Sequence, residues 1–276
     1  MTSADTPSAD PAAADNVPAR PWPFAAAAMV LAMLANDLNA DVLRAGGVNS
    51  WFEGFSYGWP LLLNTLDLAA VALALWALGG VGWRRQWTIC GLAKPFAAPA
   101  LFGAILFVPA FASLWIIAGP ATNLDGQELL FGGLVFPFYE EVIFRGLAIG
   151  VLMVHFRWPF LIAALVPSLF FGAFHMYQGD SLQESLGIAL ITGIGSVWFG
   201  WIYWKWDFNL WPAIWLHAGL NTAWALFALG DNAMGGELGN AVRIAVIAGS
   251  IALTHWAQPA LNRLALSRPA RKAGAA

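Results

Sequence analysis

Apolar runs recur along the chain at 24–42, 59–82, 97–119, 129–154, 160–178, 185–204, 210–229 and 240–258, separated by short polar connections. A helix needs about 20 residues to cross the hydrocarbon core of a bilayer. The pattern therefore predicts an all-α polytopic membrane protein, a bundle of about eight transmembrane helices. Gly and Pro interrupt several runs, which a bundle accommodates because neighbouring helices satisfy the freed backbone groups. Residues 1–21 are rich in Ala, Pro and Asp without apolar periodicity and read as a disordered tail. Their acidic start lacks the basic region of a cleaved leader. The expected division is a tail at 1–21, two N-terminal transmembrane helices within 22–96, a helical core at 97–258 and a basic tail at 259–276.

Charge adds an orientation. Arg20, Arg84, Arg85, Lys94, Arg157, Lys205, Arg263, Arg268, Arg271 and Lys272 fall on alternate connections or on the tails. The opposite connections hold Asp41, Glu53, Asp125, Asp180, Asp231 and Glu237, with Arg44 as the exception. Short connections rich in Lys and Arg stay on the cytoplasmic side, so both termini are placed in the cytoplasm. Composition agrees: 59% of residues are hydrophobic and 11% charged, against about 25% charged in a soluble domain. Trp51, Trp59, Trp83, Trp158, Trp204, Trp206 and Trp211 lie near run ends, where aromatic belts form. The net charge of −3 gives no reason to expect a nucleic-acid partner. Cys90 is the only cysteine, so an intrachain disulfide and a thiolate metal cage are both excluded. The composition suits a bacterial cytoplasmic membrane.

Against that background, ionisable residues inside the apolar runs stand out, because each costs about 2.5–3.5 kcal/mol at mid-bilayer and needs a partner or a purpose. The fourth run contains FPFYEEVIFRG, which places Glu140, Glu141 and Arg145 in one helix. Glu141 and Arg145 are four residues apart and can pair on one face, whereas Glu140 is rotated away and left without a local cation. The fifth run ends with Phe171 and His175 four apart, and the seventh places His217 and Asn221 four apart. Three helices thus offer an acid, two imidazoles and an amide. A carboxylate and an imidazole can activate water for attack on an amide carbonyl, and imidazole and amide donors can stabilise the oxyanion. The same residues could be assembled otherwise, Glu140, His175 and His217 forming the two-His-one-Glu set of a catalytic zinc. There is no HExxH to force two His onto one metal. Asp67, beside Asn64 and Thr65, would suit an ion or proton path, the reading of an ion-coupled transporter. A membrane scaffold without catalysis is a third class. His155 and His255 fall near run ends, at the interface.

The runs EEVIFR (Glu140 to Arg145), FGAFH (Phe171 to His175) and HAGLN (His217 to Asn221) follow the order EExxxR, FxxxH, HxxxN on successive runs. In this the chain resembles the CAAX protease and bacteriocin-processing family of intramembrane endopeptidases. The resemblance makes 97–258 the protease core and implies roles for Glu140, Glu141, Arg145, His175, His217 and Asn221. Glu140 and His175 would activate the water, His217 and Asn221 would form the oxyanion site, and Glu141 with Arg145 would support the geometry. Phe171 would touch substrate. No cofactor is favoured, with zinc on Glu140, His175 and His217 as the metallo-type alternative. The implied substrate is a membrane protein or peptide precursor, lipid-modified or not, cut near its C-terminus. Counted along the runs, His217 lies nearer the cytoplasm than Glu140 and His175. Either the seventh helix starts before Leu210 or helix tilt closes the gap, and the cavity is expected to open to the cytoplasm.

Overall fold

The computed structural model describes residues 40–266; the expected tail at 1–21, the first run up to residue 39 and residues 267–276 lie outside them. Every regular element among the described residues is helical. The helices are α1 (Gly58–Ala77), α2 (Trp83–Cys90), α3 (Ala97–Ile117), α4 (126–155), α5 (Phe160–Phe174), α6 (Leu182–Lys205), α7 (Trp211–Phe227) and α8 (237–266). Five are long and apolar enough to cross a membrane: Gly58–Ala77, Ala97–Ile117, Phe160–Gln178, Leu182–Lys205 and Glu237–Arg263. These five are counted among the described residues, which leave out most of the first expected run. The fourth expected span is helical but is divided into α- and π-wound segments, and the seventh is 17 residues long. The short α2, which carries Arg84 and Arg85, was not anticipated within its basic connection.

α5 and α6 pack on each other more extensively than any other pair. A Cβ on Gly172 of α5 would collide with the Ala189 carbonyl oxygen of α6, so only glycine allows this approach. The apolar core divides into regions that share helices. One joins α1, α2, α4 and α5 through Val71, Cys90, Leu147, Ala163 and Phe171. A second joins α3, α6, α7 and α8 through Phe102, Phe199, Leu216 and Val246. On the outer surfaces, Leu73, Trp115, Ile116, Leu169, Leu190 and Ile244 are exposed, large apolar side chains that suit lipid better than water.

Hydrogen bonds between connections fix the two ends of the bundle. At one end Asn209 donates to the Pro95 carbonyl (2.8 Å), the Trp211 indole donates to the Leu92 carbonyl (3.1 Å), and Lys94 pairs with Asp207 at 2.8 Å. At the other, the Ala233 amide donates to the Gln178 side chain (3.0 Å), Asn232 donates to Glu184 (2.7 Å), and the Ala121 amide donates to the Leu226 carbonyl (2.8 Å). The first end carries the basic connections and the second the acidic ones.

Candidate active site

The site is built where α4 changes its winding. Asp125 caps the helix by accepting from the Gln127 amide at 2.8 Å. The chain is then π-wound at Phe131–Val135, α-wound at Phe136–Glu140 and π-wound again at Glu141–Ile149. π-wound turns, in which each N–H reaches five residues back, gather at functional sites. Here Glu140 and Glu141 straddle the junction, and both face one imidazole. His217 Nδ1 donates to Glu141 Oε1 at 2.7 Å, while His217 Nε2 lies 3.6 Å from Glu140 Oε2. Arg145 Nη1 reaches the same Glu141 oxygen at 3.0 Å, with both side chains fully buried. Glu140 therefore has an imidazole neighbour after all, supplied by another helix, which helix periodicity within α4 could not show.

α7 is seated close to α4 by small residues. A Cβ on Gly133 would lie 2.9 Å from the Thr222 hydroxyl, and Asn221 Nδ2 donates to the Gly132 carbonyl at 3.1 Å. α7 begins at Trp211, after Leu210, so helix packing and not an earlier start brings His217 level with Glu140. His175 follows the last residue of α5. Its Nδ1 is 2.7 Å from the Phe171 carbonyl; a carbonyl only accepts, so Nδ1 carries the proton and Nε2 keeps the lone pair. Among the described residues His175 makes no contact with Glu140 within 4.0 Å.

Glu140, Phe171, His175, His217 and Asn221 nevertheless line one cavity of about 820 Å³, within the size range of small-molecule and peptide sites. Glu141 and Arg145 lie behind it, fully buried. Phe171 touches the cavity but is 4% exposed. Its ring packs under the Arg145 guanidinium at 4.6 Å and against His175 at 4.5 Å, so it holds the ion pair and the base in place more than it presents a surface to substrate. Phe199 of α6 does the same from the other side, stacked 5.3 Å from His217 and 5.1 Å from Arg145. No motif singled out Phe199; a lone aromatic in an apolar run carries no signal. Glu128, Trp224 and Arg243, also in the cavity wall, were likewise passed over in the sequence.

The cavity does not open where expected. Glu128, Tyr177, Gln178, Asp231 and Asn232 line it, all at the acidic end, and no residue of the basic connections does. The expectation of an opening toward the basic end is therefore corrected: depth counted along isolated helices does not place the connections that frame the cavity. Nor do the residues converge as zinc ligands. No group of three His, Cys, Asp or Glu side chains among the described residues is placed to hold a metal ion, and of Glu140, His175 and His217 only the first and last approach within 4.0 Å.

Residues 125–223 match a protein-family model described as Type II CAAX prenyl endopeptidase Rce1-like. The matched segment contains all three motifs and all six residues assigned to the hydrolytic set. It bears out the family resemblance and indicates a peptidase of the CAAX-processing, intramembrane kind. No curated protein and no solved structure matches the chain.

Proposed function

We propose that the protein is an intramembrane endopeptidase of glutamate type that cuts a membrane-associated protein or peptide precursor near its C-terminus. The observation that carries this is the shared cavity: a carboxylate, two imidazoles and an amide, from α4, the end of α5 and α7, face one space inside the bundle. Glu140 has a buried Oε2 that accepts no hydrogen bond among the described residues. That atom is free to take a proton from a water held between it and the lone pair of His175 Nε2. The hydroxide so formed attacks the scissile carbonyl, and the proton passes to the leaving amine. His217, clamped by Glu141 through Nδ1, presents Nε2 to the same space; when protonated there, it and the second Asn221 N–H are donors for the oxyanion. Glu141 and Arg145 keep the imidazole oriented. The chemistry needs no metal and no Ser or Cys nucleophile.

Mass spectrometry of membrane-protein termini tests this in cells carrying the intact protein, the Glu140→Gln variant, or neither. New C-termini are expected only with the intact protein, and they identify the substrate. Identical termini in all three, with the variant folded and abundant, refute the reading.

A further inference from the structure

Arg243 lines the cavity as a cation that the hydrolytic set leaves unused, and it lies on α8 outside the matched segment. It sits about two turns into a helix long and apolar enough to cross a membrane, where an unneutralised cation is expensive and marks a functional position. Arg145 is neutralised by Glu141; Arg243 has no Asp or Glu within 4.0 Å among the described residues. It is half-buried and held still. Nη1 donates to Asn240 Oδ1 at 2.9 Å, Nη2 donates to the Ala233 carbonyl at 2.7 Å, and the guanidinium lies 4.7 Å over the Trp224 ring. Neutral partners fix the plane of the group without cancelling its charge. Two of its five N–H donors are used, leaving three for an occupant.

Trp224 fixes where that occupant ends. It follows His217 by seven residues on α7, hence on the same face, two turns and about 10 Å along the axis. An extended peptide covers that distance with about three residues. Ile191, Leu220, Ile247 and Ile251 give the cavity an apolar lining. Glu128 and Asp231 also face the cavity and disfavour an anion anywhere but at the guanidinium.

We propose that Arg243 anchors the C-terminal carboxylate of the substrate, so that a short apolar C-terminal segment lies between it and the bond at Glu140 and His217. This rests on the peptidase reading and adds the residue that selects a free chain end. A carboxylate on a guanidinium forms charge-assisted, bidentate hydrogen bonds, which an amide cannot.

The test is binding of a fluorescent decapeptide ending in three aliphatic residues, as free acid and as C-terminal amide, to purified Glu140→Gln protein in detergent. The acid is expected to bind about tenfold tighter or more, the worth of hydrogen bonds to a charged group. Arg243→Gln on the same background should remove that preference, and Arg243→Lys should keep part of it. If Arg243 only tethers the connection at Ala233, Arg243→Gln weakens acid and amide alike and the preference survives, which overturns the proposal. Equal binding of the two forms, or of neither, overturns it too. Binding is read without cleavage, so it stands apart from the peptidase reading, which is judged by whether the intact protein cuts the same peptide.

Discussion

Arg145 shows how much of the site rests on one side chain that never reaches the cavity. It is fully buried against Glu141 and lies between the rings of Phe171 and Phe199. Removing one partner of a buried ion pair leaves the other charge uncompensated, at a cost of about 3–5 kcal/mol. Arg145→Leu is therefore expected to lower the thermal unfolding midpoint in detergent well below that of the intact protein, while Glu140→Gln, with its carboxyl at the cavity wall, leaves it nearly unchanged. Equal midpoints for Arg145→Leu and the intact protein would show that the pair is dispensable. The pairing itself was legible in the sequence, because a four-residue spacing puts Glu141 and Arg145 on one face. The bond of Glu141 to His217, and the approach of Glu140 to the same ring, were not, since they depend on how α7 lies against α4 and no spacing within a helix encodes that. Arg243 was missed for a related reason. In the sequence it is one Arg near a helix start, and only the fold sets it over Trp224 with no acid beside it.

The helices themselves were readable as apolar runs, and their boundaries mostly agree with the expected ones. What the runs could not show is winding. α4 reads as one apolar stretch carrying three charges, yet it alternates between two hydrogen-bonding patterns, which apolar periodicity does not record. The α5–α6 pair makes a sharper element-level prediction. Gly172→Leu puts a side chain into the Ala189 carbonyl and should force the two helices apart, with a large loss of folded yield measured by size-exclusion chromatography. Gly195→Ala, on α6 with open space around its Cβ position, should elute as the intact protein does. The reverse order would mean that the close approach at Gly172 is not what holds the pair.

On the scale of the whole molecule, the sequence gives a charge asymmetry and the structure gives the cavity a direction relative to it. If the basic end faces the cytoplasm, the cavity is reached from the opposite side. Cys90 makes this easy to check: it is buried, and burial pushes its thiol up to about 12. With the thiol buried and little of it as reactive thiolate near neutral pH, the intact protein should resist a maleimide. Tyr177→Cys introduces an exposed thiol at the cavity margin. A membrane-impermeant maleimide added to intact cells is expected to label it, and labelling only after the cells are opened would reverse the orientation. Finally, the contact of Gly172 with α6 bears on how the protein meets membranes of different thickness. Helices answer a mismatch with the bilayer by tilting, and two helices in backbone contact must tilt together. His175, at the end of α5, thus keeps its height relative to Phe199 on α6, so the base and the ring beneath His217 move as one when the lipid changes.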